Sequence, residues 1–185
     1  MVQYSADFKR RASAKSARAK VSDLTCHFKN TWETARALTH GKGRQNNMTL
    51  KAAQQYLRQV LAKTRAIPFR RYENKTGRCA QAKNELAGST KGRWPRKSVV
   101  AMLNLLKNAE SNAVHKGLDA NKLIVTNVSV NQAARRRRRT YRAHGRAGPY
   151  MRSPCHVQVG LAERTARVPK PTSAPKQSAS ARNID

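Results

Sequence analysis

The chain has 185 residues, with 39 Lys plus Arg against 9 Asp plus Glu, so its formal net charge is +30, and only 38% of it is hydrophobic. A domain so charged repels itself in water and needs a polyanion around it, whether nucleic acid, an anionic membrane or a polyacidic protein. No run of 18 apolar residues is available to span a bilayer, and the basic first 15 residues lack the apolar stretch of a secretory signal.

The elements are read in chain order. Residues 1–12 form a basic extension without pattern, and 13–21 alternate weakly, as an edge strand does. A first helix is expected over 23–38, with Ser22 as N-cap and Leu24, Phe28, Ala35 and Leu38 on one stripe; Gly41 and Gly43 end it. A second is expected over 50–63 behind the cap Thr49, with Leu50, Ala53, Leu57, Val60 and Leu61 sharing a face. Residues 65–95 are Gly-rich, basic and irregular, a length of loop that is normally functional or held by a partner. A third helix should start at Pro95 as its N1 residue and run to 116, with Val99, Met102, Leu103, Leu106, Ala109 and Ala113 inward. Gly117 and Leu118 read as a Schellman ending. Two strands follow, over 122–130 and 156–161, joined by the most basic stretch of the chain. Paired antiparallel, they make 122–162 a long hairpin with too little apolar content to hold itself together in water. The tail 168–185 is rich in Pro, Ser and Ala and reads as disordered. Residues 13–167 thus read as one domain of α+β class.

Two basic segments carry the chemistry. From 120 to 154 there is no acid, while Arg135–Arg139 are followed by Tyr141, Arg142, His144, Arg146 and Arg152. Guanidinium forks match phosphate oxygens and stack on bases, and Tyr141 and His144 add stacking surfaces. The earlier loop interleaves Arg70, Arg71, Arg78, Lys83, Arg93, Arg96 and Lys97 with Phe69, Tyr72 and Trp94, a mixture suited to irregular or single-stranded RNA. A plain solvated or nuclear-localising charge run is the competing reading of the arginines. Enzyme chemistry finds no support: no Gly-rich phosphate loop or nucleophile elbow occurs, and no two acids are spaced for acid–base work. Cys26, Cys79 and Cys155 form no CxxC, so neither a metal nor another cofactor is expected, and the odd number suits reduced thiols.

Several blocks resemble a known family. GRCAQAK (77–83), GRWPRKS (92–98), LLKNAESNA (105–113), GLDANKL (117–123), RRRTYRAHGR (137–146) and PYMRSPCH (149–156), with HFKNTWETARAL (27–38) as first helix, are similar to the large-subunit ribosomal protein twenty-two of the universal naming, whose eukaryotic cytosolic form is large-subunit protein seventeen. The resemblance covers about 16–170. Trp32 departs from it where a basic residue is expected, and 134–136 are richer in arginine than the usual pattern.

The resemblance implies three helices on a three-stranded antiparallel sheet, with a protruding basic hairpin that reaches into rRNA and lines the nascent-peptide exit tunnel. It implies a structural, non-catalytic role in the large subunit and its assembly. The implied partners are large-subunit rRNA, neighbouring large-subunit proteins and the nascent polypeptide, with no membrane insertion. The implied location is the cytosolic ribosome, after a nucleolar assembly stage. On this reading Arg70, Arg71, Arg78, Lys83, Arg93, Trp94, Arg96, Lys97, Arg135, Arg137, Arg139, Tyr141, Arg142, His144, Arg146 and Arg152 hold rRNA. Arg136, Arg138, Thr140, Ala143, Gly145, Ala147 and Gly148 line the tunnel. A free basic RNA-binding regulator acting off the ribosome is the alternative.

Overall fold

The computed structural model describes residues 3–5, 15–39, 47–85 and 88–164. The expected N-terminal extension apart from 3–5, the glycines at 41 and 43, and the tail 168–185 lie outside the described residues. The elements are β1 (Ser16–Leu24), α1 (Phe28–Thr39), α2 (Leu50–Leu61), β2 (Ile67–Pro68), α3 (Ala80–Glu85), β3 (Gly92–Arg93), α4 (Arg96–His115), β4 (Leu123–Gln132), β5 (Arg136–Tyr141), β6 (Ala147–Arg152) and β7 (Cys155–Glu163).

β7 is the middle strand of an antiparallel sheet of order β1-β7-β4. Its central position explains its near-continuous burial, with Val157, Val159 and Leu161 at 0–1% exposure. α4 packs on β1, α1 on β4, and α2 on α4. Leu38, Leu57, Met102, Leu105, Leu106, Val125 and Leu161 fill the space between helices and sheet. Leu105, absent from the expected stripe, is buried, whereas Leu103 is only half-buried.

The start of the first helix differs from expectation. Ser22 lies in β1, which runs to Leu24, and α1 begins at Phe28. Pairing with β7 wins over the local cap signal: Leu24 sits opposite Cys155 after a bulge, and the Asp23 N–H donates to His156 Nδ1 at 3.1 Å. Asp23 takes φ 52° there, which a short polar side chain tolerates. The caps of the other helices follow the sequence more closely. Thr49 accepts from Ala52 N–H at the start of α2. α4 ends in a Schellman motif: Leu118 N–H donates to the Ala113 carbonyl, Gly117 N–H to that of Val114, and Gly117 has φ 72°. Pro95 is the N-cap of α4 rather than its first helical residue.

The loop 65–95 is more ordered than its composition suggests. It contains the helix α3 and the β2–β3 ladder, making four helices among the described residues where three are expected. Arg65 Nε donates to Glu85 Oε1 at 2.6 Å, its guanidinium lies over the Tyr56 ring, and Tyr56 OH donates to the Ala66 carbonyl. Gly92 fits because a Cβ there would meet the Ala82 methyl at 3.1 Å and the Ile67 carbonyl at 3.2 Å.

Candidate nucleic-acid interface

β4 and β7 hand over to β5 and β6 across a short break, bridged by the Ala133 N–H donating to the Pro154 carbonyl. The register pairs Arg136 with Arg152, Arg138 with Tyr150, Thr140 with Gly148, and, on the other face, Arg137 with Met151, Arg139 with Pro149, Tyr141 with Ala147. At the tip, Arg142 N–H donates to the Arg146 carbonyl at 2.7 Å. His144 and Gly145 carry positive φ of 60° and 64°, the handedness a type I′ turn requires at its two central residues. The hairpin is exposed almost throughout, with Tyr141 at 80% and Tyr150 at 61%. Opposed like charges such as Arg136 and Arg152 weaken a strand pair. With no acid between 120 and 154, the counter-charge must come from outside.

The base of the hairpin joins the helices. A cleft of about 1010 Å³ lies between the end of β1, the first half of α4 and the hairpin base. Arg96, Lys97, Arg136 and Arg152 line it, and no Asp or Glu does. This unites RNA-binding candidates separated by more than fifty positions. It also puts Arg136, expected among the tunnel residues, beside Arg152, expected on RNA. A second hollow of about 400 Å³ adjoins it, lined by Phe28, Lys29, Arg135, Met151 and Arg152 among others.

Lys29 leads on to a patch that sequence reasoning did not assemble. Its Nζ lies 5.5 Å from the centroid of the Tyr72 ring, and Tyr72 meets Phe28 and Trp32 edge-on. The guanidinium groups of Arg36 and Arg71 lie 5.8 and 5.6 Å from the Trp32 ring. Beneath them the Glu33 carboxylate, 1% exposed, accepts the backbone N–H groups of Arg70 and Arg71 at 3.2 and 3.0 Å and that of Tyr72 at 2.8 Å. Glu33 therefore neutralises part of the cluster and fixes the loop that presents Arg71. Burial, then the nearby Arg36 cation, pulls the Arg70 guanidinium below its ordinary value, with Glu33 opposing. The available signal was the i, i+4 spacing of Trp32 and Arg36 on α1, the face the loop covers.

The remaining candidates are dispersed. Arg78 and Lys83 are exposed, Arg78 bridging to Lys91. Arg93 Nη2 donates to the Lys75 carbonyl at 2.7 Å, and Trp94 Nε1 to Gln81 Oε1 at 3.2 Å, so Trp94 has a polar anchor and a partly open ring. Cys26 and Cys155 are buried free thiols, Cys79 is half-buried, and the described residues hold no group of three or more metal-ligating side chains. No helix among the described residues is long and apolar enough to cross a membrane.

The chain has relatives among known proteins. It is 49% identical to the large ribosomal subunit protein uL22 of Ixodes scapularis over 168 residues, covering 89% of this chain and 86% of that one. It is 51% identical to the protein of the same name from Diaphorina citri over 161 residues, covering 87% and 82%. The uL22 protein of Bombyx mori is 51% identical over 165 residues, covering 88% and 83%. The family described as ribosomal protein L22p/L17e matches residues 19–162, from β1 through the hairpin to β7, and the chain belongs to that family.

Proposed function

We propose that the chain is a structural constituent of the large ribosomal subunit that binds rRNA, supports assembly and lines the peptide exit tunnel with its hairpin. The observation that carries this reading is the acid-free, exposed hairpin, whose arginines find no carboxylate within it and which only a polyanion can hold. Membership of a ribosomal protein family supports rRNA as that polyanion. The family is structural and not enzymatic, in keeping with a site made of cations and aromatic rings.

In this reading Arg137, Arg139 and Tyr141 hold rRNA from one hairpin face, with Arg142, His144 and Arg146 at the tip. Arg135 and Arg152 at the base, together with Arg96 and Lys97 on α4, continue the contact, and Arg136 joins them by its position opposite Arg152. Arg70, Arg71, Arg78, Lys83, Arg93 and Trp94 extend it over the loop. Arg138, Thr140, Ala143, Gly145, Ala147 and Gly148 border the tunnel lumen and meet the nascent polypeptide. Neighbouring subunit proteins are the other partners, the protein working in the cytosol after a nucleolar assembly stage.

Sedimentation of ribosomal particles through sucrose at high salt tests this. Phosphate contacts made by a detachable protein weaken steeply with salt. Retention in the large particle is expected. Release into the free fraction at salt that leaves other subunit proteins bound would replace the reading with that of a free RNA-binding regulator.

A further inference from the structure

The cleft at the hairpin base has the composition of a nucleotide site. Its walls include Val100 on α4 and Tyr150 on β6, which are 41 and 61% exposed despite their apolar surface. Exposed apolar side chains gathered at one concave place mark a binding surface. Arg96, Lys97, Arg136 and Arg152 add four cations from two separate elements, and no lining residue is an acid. Among the described residues the amide of Asn104, also in the lining, makes no hydrogen bond to the protein, whereas neighbouring Asn108 Oδ1 accepts from Asn112. The volume, about 1010 Å³, stands at the upper end of the range for ligand pockets.

We infer that this cleft receives one unpaired nucleotide extruded from a folded RNA. The base stacks on Tyr150 against Val100, Asn104 reads its edge, and the flanking phosphates lie against Arg96, Lys97, Arg136 and Arg152. Each part needs the others. Cations alone bind any duplex, and an apolar wall alone binds any greasy segment. An acid-free cationic rim around an aromatic and amide wall matches a base between two phosphates. A free asparagine amide can pair with an adenine edge in two places, which favours adenosine as the guest.

The inference rests on the RNA-binding reading above, and the experiment separates the two. The full-length chain is titrated with three labelled RNAs: a short perfect duplex, the same duplex with one bulged adenosine, and that duplex with an abasic bulge. The bulged adenosine should bind roughly tenfold tighter than the other two, the size of effect one stacked base provides. Tyr150→Ala should erase that preference while duplex affinity and thermal melting stay as they were. Asn104→Ala should narrow the difference between a bulged adenosine and a bulged uridine. Val114→Ala, at the far end of α4, should change nothing. A 4-thiouridine placed in the bulge should crosslink to the peptide carrying Tyr150 and Met151.

If all three RNAs bind equally, with the usual loss of affinity in salt, the nucleotide site is refuted and the RNA-binding reading stands. A preference for the bulge that survives Tyr150→Ala, with crosslinks elsewhere, likewise refutes the site. Failure of the chain to bind any of the RNAs at low salt refutes the RNA-binding reading itself.

Discussion

The Glu33 carboxylate on α1 accepts the backbone N–H of Tyr72 at 2.8 Å, across 39 positions of sequence. With the Arg70 and Arg71 N–H groups it forms three bonds to one buried side chain. Loss of that acceptor leaves three donors to find partners, each costing about 1–3 kcal/mol if buried unpaired. Glu33→Ala is therefore expected to destabilise the chain by about 2–5 kcal/mol, and Glu33→Gln, which keeps one acceptor oxygen, by less. Thermal melting gives the magnitudes. Hydrogen exchange should show residues 70–72 losing protection first, and equal exchange there in variant and parent would mean that Glu33 does not hold the loop.

The inward face of α4 gives the measure of the core. Leu106 is fully buried, and Leu106→Ala should cost about 2–5 kcal/mol through lost burial and the cavity left behind. Asn104→Ala, on an exposed position of the same helix, should stay within about 0.5 kcal/mol. Denaturant melts of both variants decide this. Similar small effects would mean that α4 is not docked through this face.

Thiol chemistry should follow burial. Burial pushes the Cys26 thiol up, with Lys97 opposing, and pushes the Cys155 thiol up, with the nearby Thr31 hydroxyl opposing. A raised thiol presents less thiolate, which is the nucleophile. Iodoacetamide at neutral pH should therefore modify half-buried Cys79 first, and Cys26 and Cys155 only on denaturation. Mass spectrometry of timed samples reads the order. Early alkylation at position 155 would show that β7 opens far more readily than its packing implies.

Period and capping signals made most of the framework legible. The α2 and α4 stripes, the Thr49 cap, the Gly117–Leu118 ending and the strands β4 and β7 stand close to where periodicity and turn chemistry place them. The losses have a common cause, which is pairing over long sequence distance. Ser22 looks like an N-cap, but β7 draws residues up to Leu24 into the sheet. The irregular composition of 65–95 hides a helix and a two-residue ladder, and the loop is tied down by Glu85 on Arg65 and Glu33 on the 70–72 backbone, acids that read locally as isolated charges. Alternation divides the hairpin arginines into two faces, yet only the observed register puts Arg136 opposite Arg152 and above the start of α4. Trp32 is visible in the sequence as a departure from the family pattern. Its two guanidinium neighbours are not, because one of them comes from the loop.

Toward the tip, beyond the Arg136–Arg152 pair and the basal cleft, the two hairpin faces should separate in function. In the free chain the hairpin has little apolar cover, and its opposed arginines repel, so the amides of β5 should exchange quickly and gain protection once RNA is bound. Within the particle, an RNA-facing guanidinium paired with phosphate is strongly held, and reversing its charge puts two anions together. Arg137→Glu with Arg139→Glu should therefore block accumulation of large subunits in gradient profiles. Arg138→Glu, across from Tyr150 where that face passes from the basal cleft to the lumen, should leave assembly close to normal, because water and counter-ions screen a charge at a wet lumen. It should instead shift the positions at which charged nascent chains pause, read by ribosome profiling. Should all three substitutions lower assembly alike and leave pausing unchanged, both faces would be anchored in RNA. The lumen role of Arg138 and Thr140 would then fall, while membership of the subunit would stand.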